Sequence, residues 1–219
     1  MLLSDRVCVV FEYKGGFLPN KAKYAENIDQ FLVSLDQKFG TGPGAGVEQL
    51  ARKIAQVFAA DHKERRILAS VDLSNANIVV PVLVVQDGFV TSLFTVPWLA
   101  KLFRDSMRKN KLDRNIIWTG LLVLHVEDVE NLHTYVKARK FSLAECLLYA
   151  AKKGDPGPKR LFSFADILRE FLESKKIDKV PMNDFDKKFA EVLDRLSLRL
   201  FGRKFERMES GSPIPTPSR

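Results

Sequence analysis

The run Ile78-Val79-Val80-Pro81-Val82-Leu83-Val84-Val85 limits this chain more than any other stretch. It holds no polar side chain and is rich in β-branched residues. A strand covered on one face alternates apolar and polar residues, so a continuous run implies cover on both faces. Helices on each side of a sheet supply such cover, which predicts an α/β fold with at least partly parallel strands. Pro81 lacks a ladder donor, and its presence predicts a sheet edge or a bulge at that point.

The flanking segments alternate in the same sense. Val7-Cys8-Val9-Val10-Phe11 reads as a buried strand stopped by Gly15-Gly16. Ile28, Phe31, Leu32, Leu35 and Phe39 fall on one face of a helix, and Val47, Leu50, Ile54, Val57 and Phe58 mark a second. Between them the glycine-rich stretch from Gly40 to Gly46 is a flexible loop. It is not a phosphate loop, because no Lys-Ser or Lys-Thr follows it and a helix precedes it. A short strand is expected at Ile67–Val71, a third helix at Pro97–Met107 and a further strand from Ile116 to Val126.

The last third is helical. Ser142 and Glu145 form a capping-box pattern with Phe141 before it, and Ser163 and Asp166 repeat that pattern. Asn183 can cap a last helix, after a loop at Gly154–Pro158. The expected organisation is one domain over residues 1–206, with C-terminal helices from about 141 to 206 and a disordered Ser/Pro-rich tail at 207–219. The fold class is therefore α/β: a small mixed, partly parallel sheet flanked by helices, with a helical C-terminal extension.

No apolar run reaches the roughly 18–20 residues of a membrane-spanning helix, so no membrane partner is expected. Cys8 and Cys146 sit among apolar residues, far from zinc-ligand spacing, and read as buried thiols of a cytoplasmic protein. The net charge of +8 favours an acidic partner, nucleic acid first.

Chemistry enters at Phe11-Glu12-Tyr13-Lys14, where strand alternation puts Glu12 and Lys14 on one side. A carboxylate and an ammonium so placed can hold a divalent metal beside a water, with the Tyr13 carbonyl as a further ligand. The same residues equally describe a solvated ion pair at a strand end. His62, His125 and His133 are isolated and form no zinc pattern. His125, ahead of Glu127, Asp128 and Glu130, reads as a strand-end histidine before an acidic helix start, with a general base as the alternative. Lys101, Arg104, Arg108, Lys109, Lys111 and Arg114 outnumber Asp105 and Asp113, so this stretch is either a phosphate-contacting surface or a solvated helix end.

An apolar strand ending in Glu-x-Lys and glycines resembles the last catalytic strand of the PD-(D/E)XK nuclease superfamily. The helix that follows, the Gly-Val-Glu-Gln-Leu helix start and the buried Pro-Val-Leu-Val-Val strand resemble the rest of that restriction-endonuclease-like core, from Val7 to about Val126. The resemblance implies Mg²⁺ or Mn²⁺ as cofactor, Glu12 as a metal ligand, Lys14 as the catalytic lysine and Gln49 as an accessory residue. It implies phosphodiester hydrolysis, in DNA. The superfamily carries another acid on the preceding strand, whereas eleven residues precede Glu12 here and Asp5 is the sole acid among them. The chain is thus expected to be a fragment of a larger nuclease-like protein, or a degenerate domain that binds nucleic acid or protein without catalysis.

Overall fold

The structure is a computed structural model that describes residues 2–4, 6–24, 27–58, 67–68, 71–92, 94–110, 112, 114–138, 140–153, 163–177 and 195. The expectations for Asp5, His62, Lys111, Asp113, the Gly154–Pro158 loop, the helix from Asn183 and the tail at 207–219 lie outside these residues. The chain divides into two units, Met1–Val180 and Pro181–Arg219. All of the sheet belongs to the first, and of the second only Arg195 is described, in a helical conformation.

The apolar run becomes the centre of a mixed sheet. Strand β1 (Leu2–Ser4) pairs antiparallel with β2 (Val7–Lys14). After helices α1 (Asn20–Lys23), α2 (Ile28–Phe39) and α3 (Gly46–Phe58), strands β3 (Ile67–Leu68) and β4 (Val71–Asp72) form a separate antiparallel pair. The single strand expected at Ile67–Val71 is thus two short ones. Strand β5 (Ile78–Val85) then returns parallel to β2, paired along all of it from Val7↔Ile78 to Lys14↔Val85. Helix α4 (Thr95–Lys109) leads to β6 (Ile117–Trp118) and β7 (Leu122–His125), both parallel to β5 on its other side. Helices α5 (Val126–Lys137), α6 (Leu143–Lys153) and α7 (Phe164–Ser174) follow the sheet.

Two cores lie on the two faces of the sheet, as the unbroken apolar run requires. Cys8, Val10, Val79, Leu83 and Val85 pack with α2, α3 and α4, including Phe39, Ile54 and Phe103. Val9, Val80, Val82 and Val84 pack with the later helices, including Leu132, Leu147 and Phe171. Helices α6 and α7 therefore build the second layer of the core and are more than an appended extension. Phe141, expected as a helix staple, stacks on Tyr135 and meets Phe171 edge-on.

Pro81 is buried within the sheet, against Val10 of β2, and not at an edge. Its missing N–H explains how this is possible. The Val79 carbonyl accepts from Thr119, so odd-numbered residues of β5 direct their polar groups toward β6 and β7. On that side the partner strand is interrupted. Thr119, Gly120 and Leu121 stand opposite Val80 and Pro81, because the register steps from Val79↔Trp118 to Val82↔Leu122. The proline faces a bulge in its neighbour, where no ladder bond is lost.

Both cysteines are free and buried. Burial pushes the Cys8 thiol up to about 11 and the Cys146 thiol up to about 12. Since the thiolate is the reactive form, both thiols should resist alkylation at pH 8 until denaturant is added, as measured by mass spectrometry. Leu83 is fully buried at the sheet centre, and Leu83→Ala should cost about 2–5 kcal/mol, read as a lower urea midpoint at unchanged slope.

Candidate functional site

Alternation along β2 carries Cys8, Val10, Glu12 and Lys14 to the face covered by α2 to α4. The first two enter the core and the last two stand at its rim, under the first turns of α3. A side chain at Gly46 would bring its Cβ within 2.8 Å of Leu83 Cδ1 and 3.2 Å of Lys14 Cγ. Glycine there lets α3 approach the sheet closely enough for its side chains to reach Glu12 and Lys14.

Lys14 Nζ donates to the Gly44 carbonyl at 2.6 Å and to Gln49 Oε1 at 2.7 Å. Gly44 has φ of +73°, a left-handed conformation that favours glycine and sets its carbonyl toward the lysine. The loop over 40–46 thus presents an acceptor to the Lys14 ammonium. Lys14 Nζ also lies 3.7 Å from Glu12 Oε1. Lys53, one helical turn beyond Gln49, forms an ion pair with Glu12 Oε2. The Glu12 side chain is only 6% exposed, so its charge needs these cations nearby. Glu12, Lys14 and Gln49 are brought together, and Lys53 joins them. Sequence reasoning passed over Lys53, although its i, i+4 spacing from Gln49 places both on one flank of α3.

Tyr13 points its exposed ring to the opposite face, where it lies over Gly15. Its carbonyl direction follows from alternation. The Lys14 carbonyl accepts from Gln86 N, at the β5 side, so the Tyr13 carbonyl faces the opposite edge of β2. On that edge β1 pairs no further than Val9, and among the described residues nothing else pairs there.

The chain leaving β2 is anchored by Asp87, at the end of β5. Its buried carboxylate accepts from Leu18 N at 2.7 Å and from Phe89 N at 3.1 Å, and it pairs with Lys23 at 2.9 Å. Burial raises the proton affinity of this group, but the bonds from Lys23, Leu18 and Phe89 outweigh that and hold its pKa below the usual carboxylate value. The Asp-Gly after the apolar run was the signal in the sequence.

The cationic stretch is separate from this cluster. Lys101, Arg108, Lys109 and Arg114 are exposed and Arg104 is half-buried. Arg108 pairs loosely with Asp105 at 3.9 Å. The Ser106 hydroxyl is 3.5 Å from Glu48 of α3, so the end of α4 runs beside the helix that carries Gln49 and Lys53. His125 caps α5: its Nδ1 accepts from Glu127 N, and its Nε2 stands 2.9 Å from the Gln86 carbonyl. Glu127 and Asp128 fill the first turn, as expected of an acidic helix start.

Two cavities lie elsewhere. One of about 490 Å³ is lined by Arg6, Asn77 and Ile116, and one of about 670 Å³ by β7 and the starts of α4 and α7. The Glu12 cluster stands at the rim of a core, with Glu12 buried and Lys53 about half exposed.

Among the described residues no three His, Cys, Asp or Glu side chains converge as a metal group, and none of the helices is long and apolar enough to cross a membrane. The one carboxylate in the cluster is the buried Glu12, and the Tyr13 carbonyl is directed to the edge of β2 instead of to the face that holds Glu12. Magnesium commonly binds through one or two carboxylates and keeps several waters. Glu12 supplies one such carboxylate, whose Oε2 is taken by Lys53. Comparison with family models, with curated proteins and with solved structures gave no match.

The Asp87 anchor has a pH signature. A carboxylate with a depressed folded pKa stabilises the native state above its unfolded value of about 3.9. That contribution disappears as pH falls through the lower folded value. Asp87→Ala should therefore cost about 1–3 kcal/mol at neutral pH by orphaning the Leu18 N–H. The gap between the two proteins should narrow below about pH 3.9, as followed by urea unfolding across pH.

Proposed function

We propose that the chain is a nuclease-like domain whose Glu12, Lys14 and Gln49 cluster acts on phosphodiester bonds in DNA, with Mg²⁺ or Mn²⁺ as cofactor. The observation that carries this reading is the meeting of Glu12, Lys14 and Gln49 in one cluster, from two elements about 35 positions apart in sequence. A solvated ion pair at a strand end would not need a buried carboxylate, a lysine held by two acceptors and a glycine cleared for helix approach. The strand order supports the same reading: an antiparallel hairpin into the Glu-x-Lys strand, then parallel neighbours. The resemblance to the PD-(D/E)XK superfamily stays part of the proposal.

The work of each residue follows from its contacts. Glu12 would hold the cation through its carboxylate, with the Tyr13 carbonyl as a further donor from the edge of β2. The ion, when bound, lowers the pKa of its water and neutralises charge on the phosphate. Lys14 holds its ammonium where the two acceptors fix it, ready to stabilise charge developing on the phosphate oxygens. Gln49 keeps that lysine in place and shields it from a wrong rotamer. A polymer backbone is grasped along a surface, which suits a cluster at the rim of a core. Lys101, Arg104, Arg108, Lys109 and Arg114, beside α3, supply phosphate contacts that position the strand without reading sequence.

The test is cleavage of plasmid and single-stranded DNA with Mg²⁺ or Mn²⁺, comparing the intact chain with Glu12→Ala and Lys14→Ala. Each substitution should lower the rate by about 100-fold or more, the scale of losing one transition-state charge contact. An inactive wild-type chain with salt-sensitive DNA binding, weakened by charge removal on α4, would instead make this a binding module.

A further inference from the structure

The Glu12 carboxylate is shared between two ammoniums that are held in different ways. Lys14 is 20% exposed and fastened by the Gly44 carbonyl and Gln49 Oε1. Lys53 is 52% exposed, and among the described residues its bonding partner is Glu12. It reaches that oxygen from the outer flank of α3 on a flexible four-carbon stem. One carboxylate facing two ammoniums is already overcompensated in charge. A dication arriving at Oε2 would meet an ammonium at contact distance, where like charges repel strongly. One of the cations must leave, and the contacts decide which: Lys14 would break two further bonds, Lys53 none of those described.

We propose that Lys53 is a built-in competitor for the metal, filling the ligand position on Glu12 in the resting protein and swinging out when a divalent cation binds. This deepens the reading of Glu12 as a metal ligand and rests on it. The device keeps a buried carboxylate paired when no cation is present. It also weakens cation binding by the strength of the Glu12–Lys53 pair. Once released, the ammonium stands at the exposed rim, within reach of a phosphate on a strand bound there. Metal and polyanion then favour each other's binding, because each removes an obstacle that the other meets.

The experiment is titration of the full chain with Mn²⁺, followed through the electron paramagnetic resonance signal of free Mn²⁺, for wild type, Lys53→Met and Lys53→Arg. Removing the competitor should tighten Mn²⁺ binding about two- to fivefold, the range for a partly exposed ion pair. Lys53→Arg keeps the charge and should bind no more tightly than wild type. A merely structural role for Lys53 would loosen binding in Lys53→Met or leave it unchanged, and either result overturns the proposal. Absence of Mn²⁺ binding in both wild type and Lys53→Met overturns it as well, along with the metal in the proposed reaction. Tighter binding in Lys53→Met without DNA cleavage by any of the proteins would sink the hydrolysis and leave Lys53 as the competitor.

Discussion

The pairing of β2 with β5 is the constraint on which the rest of the described structure depends. Eight residues of each strand lie side by side in parallel, and β5 is covered above and below. Parallel strands need a crossover connection, which here holds α1, α2 and α3 along with the β3–β4 pair. That crossover delivers α3 onto the end of β2. Without it, Glu12 and Lys14 would be charged residues at a strand end with nothing above them.

The chemistry of the site follows from where alternation places those charges. Every second residue of β2 faces the same side, with Cys8 and Val10 in the core and Glu12 at its rim. A carboxylate buried to this degree is costly unless it is paired, and α3 brings Lys53 to it while Lys14 comes from the same strand. The Gly44 carbonyl and Gln49 then take the hydrogen bonds that Lys14 would otherwise give to water. The cluster is a small network in which these polar groups have partners, and its most exposed member is Lys53 on the outer flank of α3.

Some elements were open to direct reading and others were not. The bounds of α2 and β5 match the periodicity and the apolar run, because burial patterns there extend over many residues and leave little freedom. Helix α1 has four residues, too few for a period to show. The strand expected from Ile116 to Val126 breaks in two, since the bulge at Thr119–Leu121 depends on Pro81 in another strand. That same relation reversed the expectation for Pro81, which read alone belongs at an edge. Glu12 and Lys14 were legible from a strand period of two. Lys53 was not, because an exposed lysine on a helix looks the same whether or not a buried carboxylate lies across from it.

By itself the sequence determined that this chain builds a sheet covered on both faces, with Glu12 and Lys14 on one side of a strand that ends in glycines. Those properties are local: they follow from apolar runs, from alternation and from the conformational freedom of glycine. Only the tertiary structure decided that α3 would bring Gln49 and Lys53 to that pair. It alone decided that Pro81 would face a gap in its neighbour and that the last helices would form a layer of the core. These depend on which segments come into contact, and such contacts are set by strand order and crossover, which no single stretch of residues encodes.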